Sequence, residues 1–446
     1  MAGGIFITQN KIRPGFYHRF TAKPAEKNLW GEIGTAALPL ELDWGEGKIA
    51  ALDADGTEEE FFRAIGRGKH EVLLVREALK KARKLLLYRV NAGGNKAVLD
   101  LTPQPIIAEA RCDGARGNDI AIQLSEDASG SNSYTMSTYV DSILRDEQTG
   151  ILDAADLLDN DWVCFSGSGM LTAAAGGQLV GGTNGTATDN EYEQFLTALE
   201  SWDFNSFGLP KEDANLKTRF IAASKRFIEE QGKLVQCVLS EVTADYEAVT
   251  SLKNGVVLQD GTVVDKAAAV AWYTGAAASA GAAGSLTYTA YDGAVAPDVP
   301  FNDSQIKAAI RGGHIVFVPQ KNAAGTPIAV VEQDVDTLTR FTEERPQPWG
   351  KNRVVRSLYY LVNSLTRIWH LYYIGKVDNN AAGRNLFKAD LVTMMRTLEE
   401  QGAFENFDAE SDIRVMKGDA SDAVVATLAV QPVDAMEKMY MTVELQ

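Results

Sequence analysis

The stretch VDAMEKMYMTVEL, residues 433–445, decides how this 446-residue chain is organised, because it alternates between two faces at the end of the sequence. One face is polar except for Met436. The other face is interrupted by Glu437 and is otherwise apolar: Val433, Ala435, Met439, Met441, Val443 and Leu445. A period of two predicts a β-strand. Such a strand either completes a sheet of its own chain or pairs with another molecule, since open strand edges are normally covered.

The chain begins with a second extended apolar segment. Ile5, Phe6 and Ile7 precede Pro14 and Gly15. Two apolar, strand-like ends on one chain predict assembly by strand exchange between subunits. The alternative, in which both terminal strands complete the parent sheet, stays open at this point.

Composition excludes several classes of function. The net charge of −17 argues against a nucleic-acid surface and against binding to an anionic membrane. Cys112, Cys164 and Cys237 are odd in number, far apart and without a CxxC pair, so neither a disulfide framework nor a zinc site is expected. No signal-peptide pattern opens the chain, and the alanine-rich run 267–283 is too weakly apolar to span a bilayer. We therefore expect no nucleic-acid partner and no membrane insertion, and folding in a reducing compartment.

At about 150 residues per domain, this length predicts about three domains, and the pattern predicts a mixed α/β (α+β) multidomain fold. Thr57 and Glu60 form a capping box that starts a helix. A second helix near 71–82 and a buried strand near 85–90 make residues 21–102 part of an α/β core, after an N-terminal arm over 1–20. Residues 103–190 have short apolar runs between Gly, Asp, Asn and Ser clusters, which predicts an inserted all-β domain.

Helices and strands alternate again in the second half of the chain. This alternation over 191–345 predicts helices covering a mostly parallel or mixed sheet. Residues 346–432 form a predicted C-terminal domain, with helices near 353–373 and 385–401 and a strand near 423–430. The terminal exchange strand over 433–446 follows.

A search for catalytic residues finds no convincing constellation. The glycine-rich segment 176–183 lacks the Lys-Ser/Thr of a phosphate loop, and Ser168 lacks the glycine two residues earlier that a nucleophile elbow needs. The four histidines are isolated from one another in sequence: His18, His70, His314 and His370. Glu332, Asp334 and Asp336 alternate and could pair as acid and base, but a solvated or interface face is the favoured interpretation. No catalytic residue, cofactor site or metal site is expected.

Several short motifs follow one another in a recognisable order along most of the chain. They are Arg13-Pro14-Gly15, Gly114-Ala-Arg-Gly117-Asn118-Asp119, Gly181-Gly182-Thr-Asn-Gly185, Leu199-Glu200, Phe204-Asn205-Ser-Phe-Gly-Leu-Pro210, the small-residue run from Gly275 to Thr287, Val331 to Leu338, and Val433 to Tyr440. In this order the chain resembles the tail sheath proteins of contractile phage tails and R-type bacteriocins. Asp336 departs from the pattern, since that family usually has asparagine there.

The resemblance implies a structural protein and not an enzyme. Its subunits would stack as hexameric rings around a tail tube, and contraction would drive the tube through a cell envelope. The implied partners are other copies of the chain, the tail tube protein, the baseplate and the tail terminator. The implied location is the tail of a virion, or a bacteriocin or prophage particle, made in the bacterial host cytoplasm. The family also implies exchanged terminal arms, which here would use Ile5, Phe6, Ile7, Met439, Met441, Val443 and Leu445.

A C-terminal helix touches the tube in the resembling family. The helix near 385–401 would bury Leu386, Leu391, Met394, Met395 and Leu398. It would offer cations to the tube on an otherwise acidic protein: Arg384, Lys388 and Arg396.

Two other functions stay open on sequence alone. One is an enzyme on the α/β portion with the β insert as a lid, which the lack of a catalytic constellation disfavours. The other is a monomeric binding module on a phage surface, which the two strand-like ends disfavour.

Overall fold

The structure is a computed structural model that describes residues 2–5, 15–18, 33–127 and 133–445, with the first two segments described by their backbone. Eight α-helices lie in these residues: α1 (Glu58–Ile65), α2 (Leu73–Leu79), α3 (Asp189–Ala198), α4 (Ala214–Lys225), α5 (Ala269–Ser279), α6 (Asp303–Arg311), α7 (Asn352–Ile368) and α8 (Ala381–Glu400). Single π-helical turns extend α4 through Glu230 and α7 through Tyr373.

The strands of the first half of the chain are β1 (Ala2–Ile5), β2 (Gly15–His18), β3 (Thr35–Leu40), β4 (Ile49–Asp53), β5 (Lys84–Arg89), β6 (Val98–Asp100), β7 (Ile107–Ala110), β8 (Ile120–Glu126), β9 (Tyr134–Val140), β10 (Ile143–Ile151), β11 (Val163–Ser166) and β12 (Ala175–Gln178). Those of the second half are β13 (Ser206–Gly208), β14 (Gln236–Ser240), β15 (Val249–Leu252), β16 (Val256–Leu258), β17 (Val263–Val264), β18 (Ala294–Pro297), β19 (His314–Ile315), β20 (Phe317–Lys321), β21 (Pro327–Val331), β22 (Ile413–Lys417) and β23 (Val424–Leu428).

A seven-stranded sheet forms the centre of the molecule. Its strand order is β19-β15-β14-β13-β3-β5-β4, and every neighbouring pair is parallel except β4 with β5. Successive residues of β5 point to opposite faces: Leu86 packs with α3 and α4, whereas Leu85 and Leu87 pack with α1 and α2. The sheet is therefore buried on both faces, as expected of parallel strands joined by helices. This confirms the mixed, mostly parallel sheet expected from the alternation.

Local sequence signals account for where several helices begin. The Thr57 and Glu60 capping box precedes α1 as predicted, and Thr188 with Glu191 forms a second box before α3. The Asp213 side chain accepts from the amides of Asn215 and Leu216 at the start of α4.

Close packing of two helices explains the small-residue composition of α5. A side chain at Gly275 would meet the carbonyl oxygen of Ala78 at 2.3 Å, so only glycine lets α5 approach α2 this closely. The whole of α5 up to Ala278 is buried. The alanine-rich run is therefore a core helix. No helix among the described residues is long and apolar enough to cross a bilayer.

An all-β domain is inserted between the two halves of the core. Its two sheets have the orders β10-β9-β8-β12 and β11-β7-β6. They enclose their own apolar core, against which Trp44 of the central body packs with its ring 5.2 Å from that of Trp162. The insert begins and ends at one place, because the Gly185 amide donates to the Asn91 carbonyl over 2.9 Å. The first strand of the insert, β6, precedes the predicted boundary at residue 103; the boundaries themselves stay predictions.

The C-terminal domain packs α7 and α8 around an apolar core with the β22–β23 hairpin. The structure thus has the predicted class: an α/β core, an inserted all-β domain and a C-terminal α/β domain. The helix predicted near 385–401 begins earlier, at Ala381, because the Asn380 side chain caps it by accepting from the Gly383 amide. The strand predicted near 423–430 is β23, and its partner β22 was not predicted.

The terminal segment 433–445 differs from its sequence-based prediction. It is not a strand in the single chain, and it joins no sheet among the described residues. Completion of the parent sheet by this segment is therefore wrong for the single chain, and pairing with another molecule stays a prediction.

Candidate assembly site: the C-terminal arm and its anchor

The C-terminal arm, residues 433–445, leaves the body beside the end of α8. The Val433 amide donates to the Ala403 carbonyl over 3.0 Å, and Pro432 forms an isolated bridge with Phe404. Phe404 itself is buried in the core of the C-terminal domain. The root of the arm is thus fixed to that domain by its backbone.

Glu437 anchors the arm a second time, through polar side chains of the rest of the chain. Its Oε1 accepts from the Thr287 hydroxyl at 2.9 Å, and its Oε2 accepts from Gln333 Nε2 at 2.5 Å. Lys351 forms an ion pair with the same oxygen, and its Nζ also lies 3.8 Å from Asp434. The Glu437 side chain is only 11% exposed. The single interruption of the apolar face of the arm is therefore a contact to the body.

The electrostatics of the anchor favour the ionised form of Glu437. Burial alone would raise its pKa, but the hydrogen bonds from Lys351, Gln333 and Thr287 hold the pKa below the ordinary value. The anchor is therefore charged at neutral pH.

Beyond Glu437 the arm is exposed along its whole described length. The exposed fraction is 83% for Met439, 71% for Met441, 72% for Val443 and 98% for Leu445. These are the four C-terminal residues predicted to mediate contact between subunits. Large contiguous apolar surface is rare on soluble chains unless a partner covers it. The C-terminal arm is thus anchored up to Glu437, and the apolar side chains that follow Glu437 are exposed.

The anchor rests on a buried polar network that joins the domains. Asp334 is 1% exposed, and its carboxylate accepts from the Tyr273 hydroxyl at 2.6 Å and from Arg356 Nη2 at 2.5 Å. The Asp334 amide donates to the Thr287 hydroxyl, and that hydroxyl donates in turn to Glu437. Burial would raise the pKa of Asp334, but Arg356 and the hydroxyl of Tyr273 hold it below the ordinary value.

The favoured interpretation of the alternating carboxylates was a solvated or interface face, and the solvated alternative is wrong for two of them. Asp334 and Asp336 are each 1% exposed, because the segment that follows β21 packs beside the start of α7, where Val335 bridges to Lys351. Glu332 is half-buried. Asp334 is bound to an arginine, so these residues do not form an acid and base pair there.

The three predicted tube-contact cations differ in their surroundings. Arg384 donates to the Asn379 side chain and carbonyl at 2.9 and 3.1 Å, and Lys388 lies near Asp408, whose pKa it helps to lower. Arg396 is exposed and makes no hydrogen bond or ion pair within the described ranges. Leu386, predicted to be buried, is 46% exposed, because it lies on the outward face of α8.

The N-terminal part of the predicted site is described only in part. Ile5 lies in β1, which pairs in parallel with β2, and the side chain of Ile5 is not described. Phe6 and Ile7 lie outside the described residues.

Sequence reasoning missed two parts of this site. One is the β22–β23 hairpin, both of whose outer edges are unpaired among the described strands, with Met416 and Val425 partly exposed. The other is the anchoring role of Glu437, for which the broken alternation was the only signal. No group of three or more His, Cys, Asp or Glu side chains in the described part of the chain could hold a metal ion.

Comparison with protein families places phage tail sheath models along nearly all of the chain. The phage tail sheath C-terminal domain matches 344–446, the phage tail sheath protein central domain matches 185–335, and the phage tail sheath protein beta-sandwich domain matches 92–184. The tail sheath protein Gp18 domain III N-terminal region matches 34–90.

Individual relatives agree with these matches. The crystal structure of a sheath tail protein from Desulfitobacterium hafniense is 40% identical, with a TM-score of 0.82 over 97% of this chain and 100% of that one. A sheath tail protein from Listeria innocua is 31% identical, with a TM-score of 0.79 over 93% and 95%. The phage-like element PBSX protein XkdK of Bacillus subtilis is 33% identical over the full length of both chains. A likeness of fold alone, at 11% identity and a TM-score of 0.55 over 98% of this chain and 100% of the other, extends to the contracted helical sheath of the anti-feeding prophage.

Proposed function

Because this chain belongs to the phage tail sheath protein family, a family of structural proteins, we propose that it polymerises as stacked hexameric rings around a tail tube. Contraction of this sheath drives the tube through a cell envelope. The observation that carries the proposal is the arm that follows Glu437: apolar on one face, almost fully exposed and without a partner strand in the described chain.

The arm docks by adding a strand to the sheet of a neighbouring subunit. The acceptor is the β22–β23 hairpin of that neighbour, a choice supported by the marginal stability of a two-stranded hairpin, which gains from further strands. Backbone hydrogen bonds supply affinity in such strand addition, and alternate side chains supply specificity. The N-terminal arm of another subunit, around Ile5 to Thr8, supplies part of the same edge. Several subunits then share one sheet, which links the rings while they slide.

The outward face of α8 meets the tube. Arg396 lies on that face together with Leu386 and Thr393, all of them exposed, and Arg384 and Lys388 flank it half-buried. On a chain with a net charge of −17, this cationic face is suited to an acidic tube. Exposed ion pairs contribute only about 0–1 kcal/mol each and are screened by salt. Weak contacts of this kind suit a surface that must release the tube during contraction.

The inserted β domain lies on the outside of the sheath and is not required for assembly. Its own apolar core and its entry and exit at one point, Asn91 and Gly185, support this placement. The particle is a virion tail, or a bacteriocin or prophage particle, assembled in the host cytoplasm. The tail tube, baseplate and tail terminator are its other partners.

The test separates arm docking from folding. Met441→Asp places a charge on the apolar face, and Tyr440→Asp places the same charge on the polar face one residue away. We expect both variants to fold with unchanged thermal midpoints, because both side chains are exposed in the single chain. Electron microscopy should show tubes from the wild type and from Tyr440→Asp, and none from Met441→Asp. Normal tubes from Met441→Asp, or from a chain ending at Lys438, would refute strand exchange.

A further inference from the structure

A short segment joins the central sheet to the C-terminal domain, and it is fixed on both sides. The Thr337 amide donates to the Val249 carbonyl at the start of β15 over 2.9 Å, and the Asn352 amide at the start of α7 donates to the Asp334 carbonyl over 3.2 Å. Residues 334–338 are hereafter called the joint. The joint thus connects the central sheet to the domain that bears the arm and α8.

Asp336 lies in the middle of the joint, and no cationic side chain of the described residues forms an ion pair with it. Its Oδ1 accepts from the Leu338 amide at 2.8 Å, whereas its Oδ2 is buried and has no hydrogen-bond partner in the described part of the chain. Two further buried oxygens nearby also make no hydrogen bond, namely the Tyr359 hydroxyl of α7 and Glu247 Oε2. Arg345 Nη1 lies 3.1 Å from Glu247 Oε2 and forms an ion pair with it. A buried carboxylate with an unsatisfied oxygen is costly unless it is neutral.

The charged and titratable groups that face Asp336 disfavour its ionised form. Burial is the largest cause that raises its pKa well above the ordinary value, and the charges of Glu247 and Asp334 raise it further. The amide of Leu338 is the one contact that lowers it. Tyr359 faces the same region from α7, and Arg345 forms an ion pair with Glu247. Asp334, two residues away, behaves oppositely because Arg356 is bound to it.

We propose that Asp336 is held as a neutral carboxylic acid in the folded chain and that its proton keeps the joint closed. When the proton passes to solvent at higher pH, a charge without a cationic partner remains inside the joint. The joint then opens, and the C-terminal domain becomes free to shift against the sheet. The joint is thus a proton-sensitive contact between the central sheet and the domain that carries the C-terminal arm.

The sign of the pH dependence follows from the direction of the shift. A carboxyl whose pKa is higher in the folded chain than in the unfolded chain stabilises the fold fully below the unfolded value. That stabilisation is lost as the pH rises from there to the folded pKa. The loss amounts to as much as a tenfold change in the unfolding equilibrium constant per pH unit for a single proton.

The experiment compares Asp336→Asn with the parent chain by denaturant unfolding between pH 5 and pH 9. Both chains carry Glu332→Gln, since Glu332 is the other described carboxyl whose pKa is raised. Asparagine mimics the neutral acid, so the stability of Asp336→Asn relative to its parent should rise with pH by up to tenfold per unit until the folded pKa is passed. Asp245→Asn is the matched control: the pKa of Asp245 is lowered to about 2, so its loss of stability should be constant over this range. A constant offset for Asp336→Asn as well would overturn the proposal.

A second measurement keeps the proposal testable if Asp336→Asn does not fold. The infrared spectrum of the folded Glu332→Gln chain should retain the carbonyl band of a neutral carboxylic acid at pH 7 and lose it at higher pH. Hydrogen exchange of the Leu338 and Thr337 amides should accelerate over the same pH interval, beyond the intrinsic pH effect seen for the amides of α5. Absence of the band at pH 7 would overturn the proposal.

Discussion

Glu437→Gln and Glu437→Ala test whether the anchor sets the free length of the C-terminal arm. In the structure the arm is held at Val433 and again at Glu437, so residues 438–445 are free. At about 3.3 Å per residue they reach about 26 Å. Release of Glu437 frees residues 434–445 and extends the reach to about 40 Å.

The magnitude follows from the contacts that are lost. A hydrogen bond to a charged group contributes about 1.5–3 kcal/mol, and each 1.4 kcal/mol is a factor of about ten in an equilibrium. Loss of the ionised contact to Lys351 in Glu437→Gln should therefore raise the population of detached arms about ten- to hundredfold. Glu437→Ala removes the contacts to Gln333 and Thr287 as well and should detach the arm further.

The assay is hydrogen exchange of residues 434–437, read beside electron microscopy of assembled tubes. We expect faster hydrogen exchange of residues 434–437 in Glu437→Gln and Glu437→Ala. We also expect tubes of less uniform diameter, because a longer free arm constrains the position of the neighbouring subunit less. Glu444→Gln is the matched control, since Glu444 is an exposed carboxylate of the same arm beyond the anchor. Unchanged exchange at 434–437 in Glu437→Ala would refute the anchor.

The remaining predictions concern the anchor at low pH, the inserted domain and the tube surface. The pKa of Glu437 is lowered on folding, so the anchor should persist above the unfolded pKa and be lost as the pH falls through the folded one, as measured by exchange of the arm at pH 3 against pH 6. Replacement of residues 93–184 by a short Gly/Ser linker should leave tubes intact in electron micrographs, because Asn91 and Gly185 are already hydrogen-bonded; a chain that no longer folds would contradict an independent domain. Arg396→Glu should weaken tube-guided assembly in light-scattering assays at low salt but not at high salt, whereas Lys321→Glu, an exposed reversal in β20, should not; equal effects at both salt concentrations would contradict the tube contact.

Local sequence signals, such as a capping box or an alternating pattern, predicted the features of the fold that depend only on neighbouring residues. The Thr57 capping box joins two residues that are three positions apart, and it placed the start of α1 correctly. The alternation of 433–445 identified an edge that is exposed in the structure, although the strand itself is absent without a partner. A strand needs a second strand to exist, so the single chain could show only its pattern.

Structural features that depend on contacts between residues far apart in the sequence could not be predicted. Glu437 binds Gln333 and Thr287, which lie 104 and 150 residues earlier in the chain. The sequence marked Glu437 only as an interruption of an apolar face, with no indication of what it contacts. The hairpin strand β22 was missed for a related reason: its short segment of mixed polarity is a strand because α8 and β23 lie beside it.

Asp334 and Asp336 show why pattern alone cannot assign a role to a buried carboxylate. Both have the same side-chain type and lie two residues apart, so the alternation assigns them to one face and predicts one environment. In the folded chain Arg356, on α7, binds Asp334, whereas Asp336 pairs with no cation among the residues that the structure describes. The pKa of the first is lowered and that of the second is raised. The packing of α7 against the sheet places Arg356 beside Asp334. Asp334 therefore keeps an ionic contact, whereas the carboxyl of Asp336 in the same joint can hold a proton.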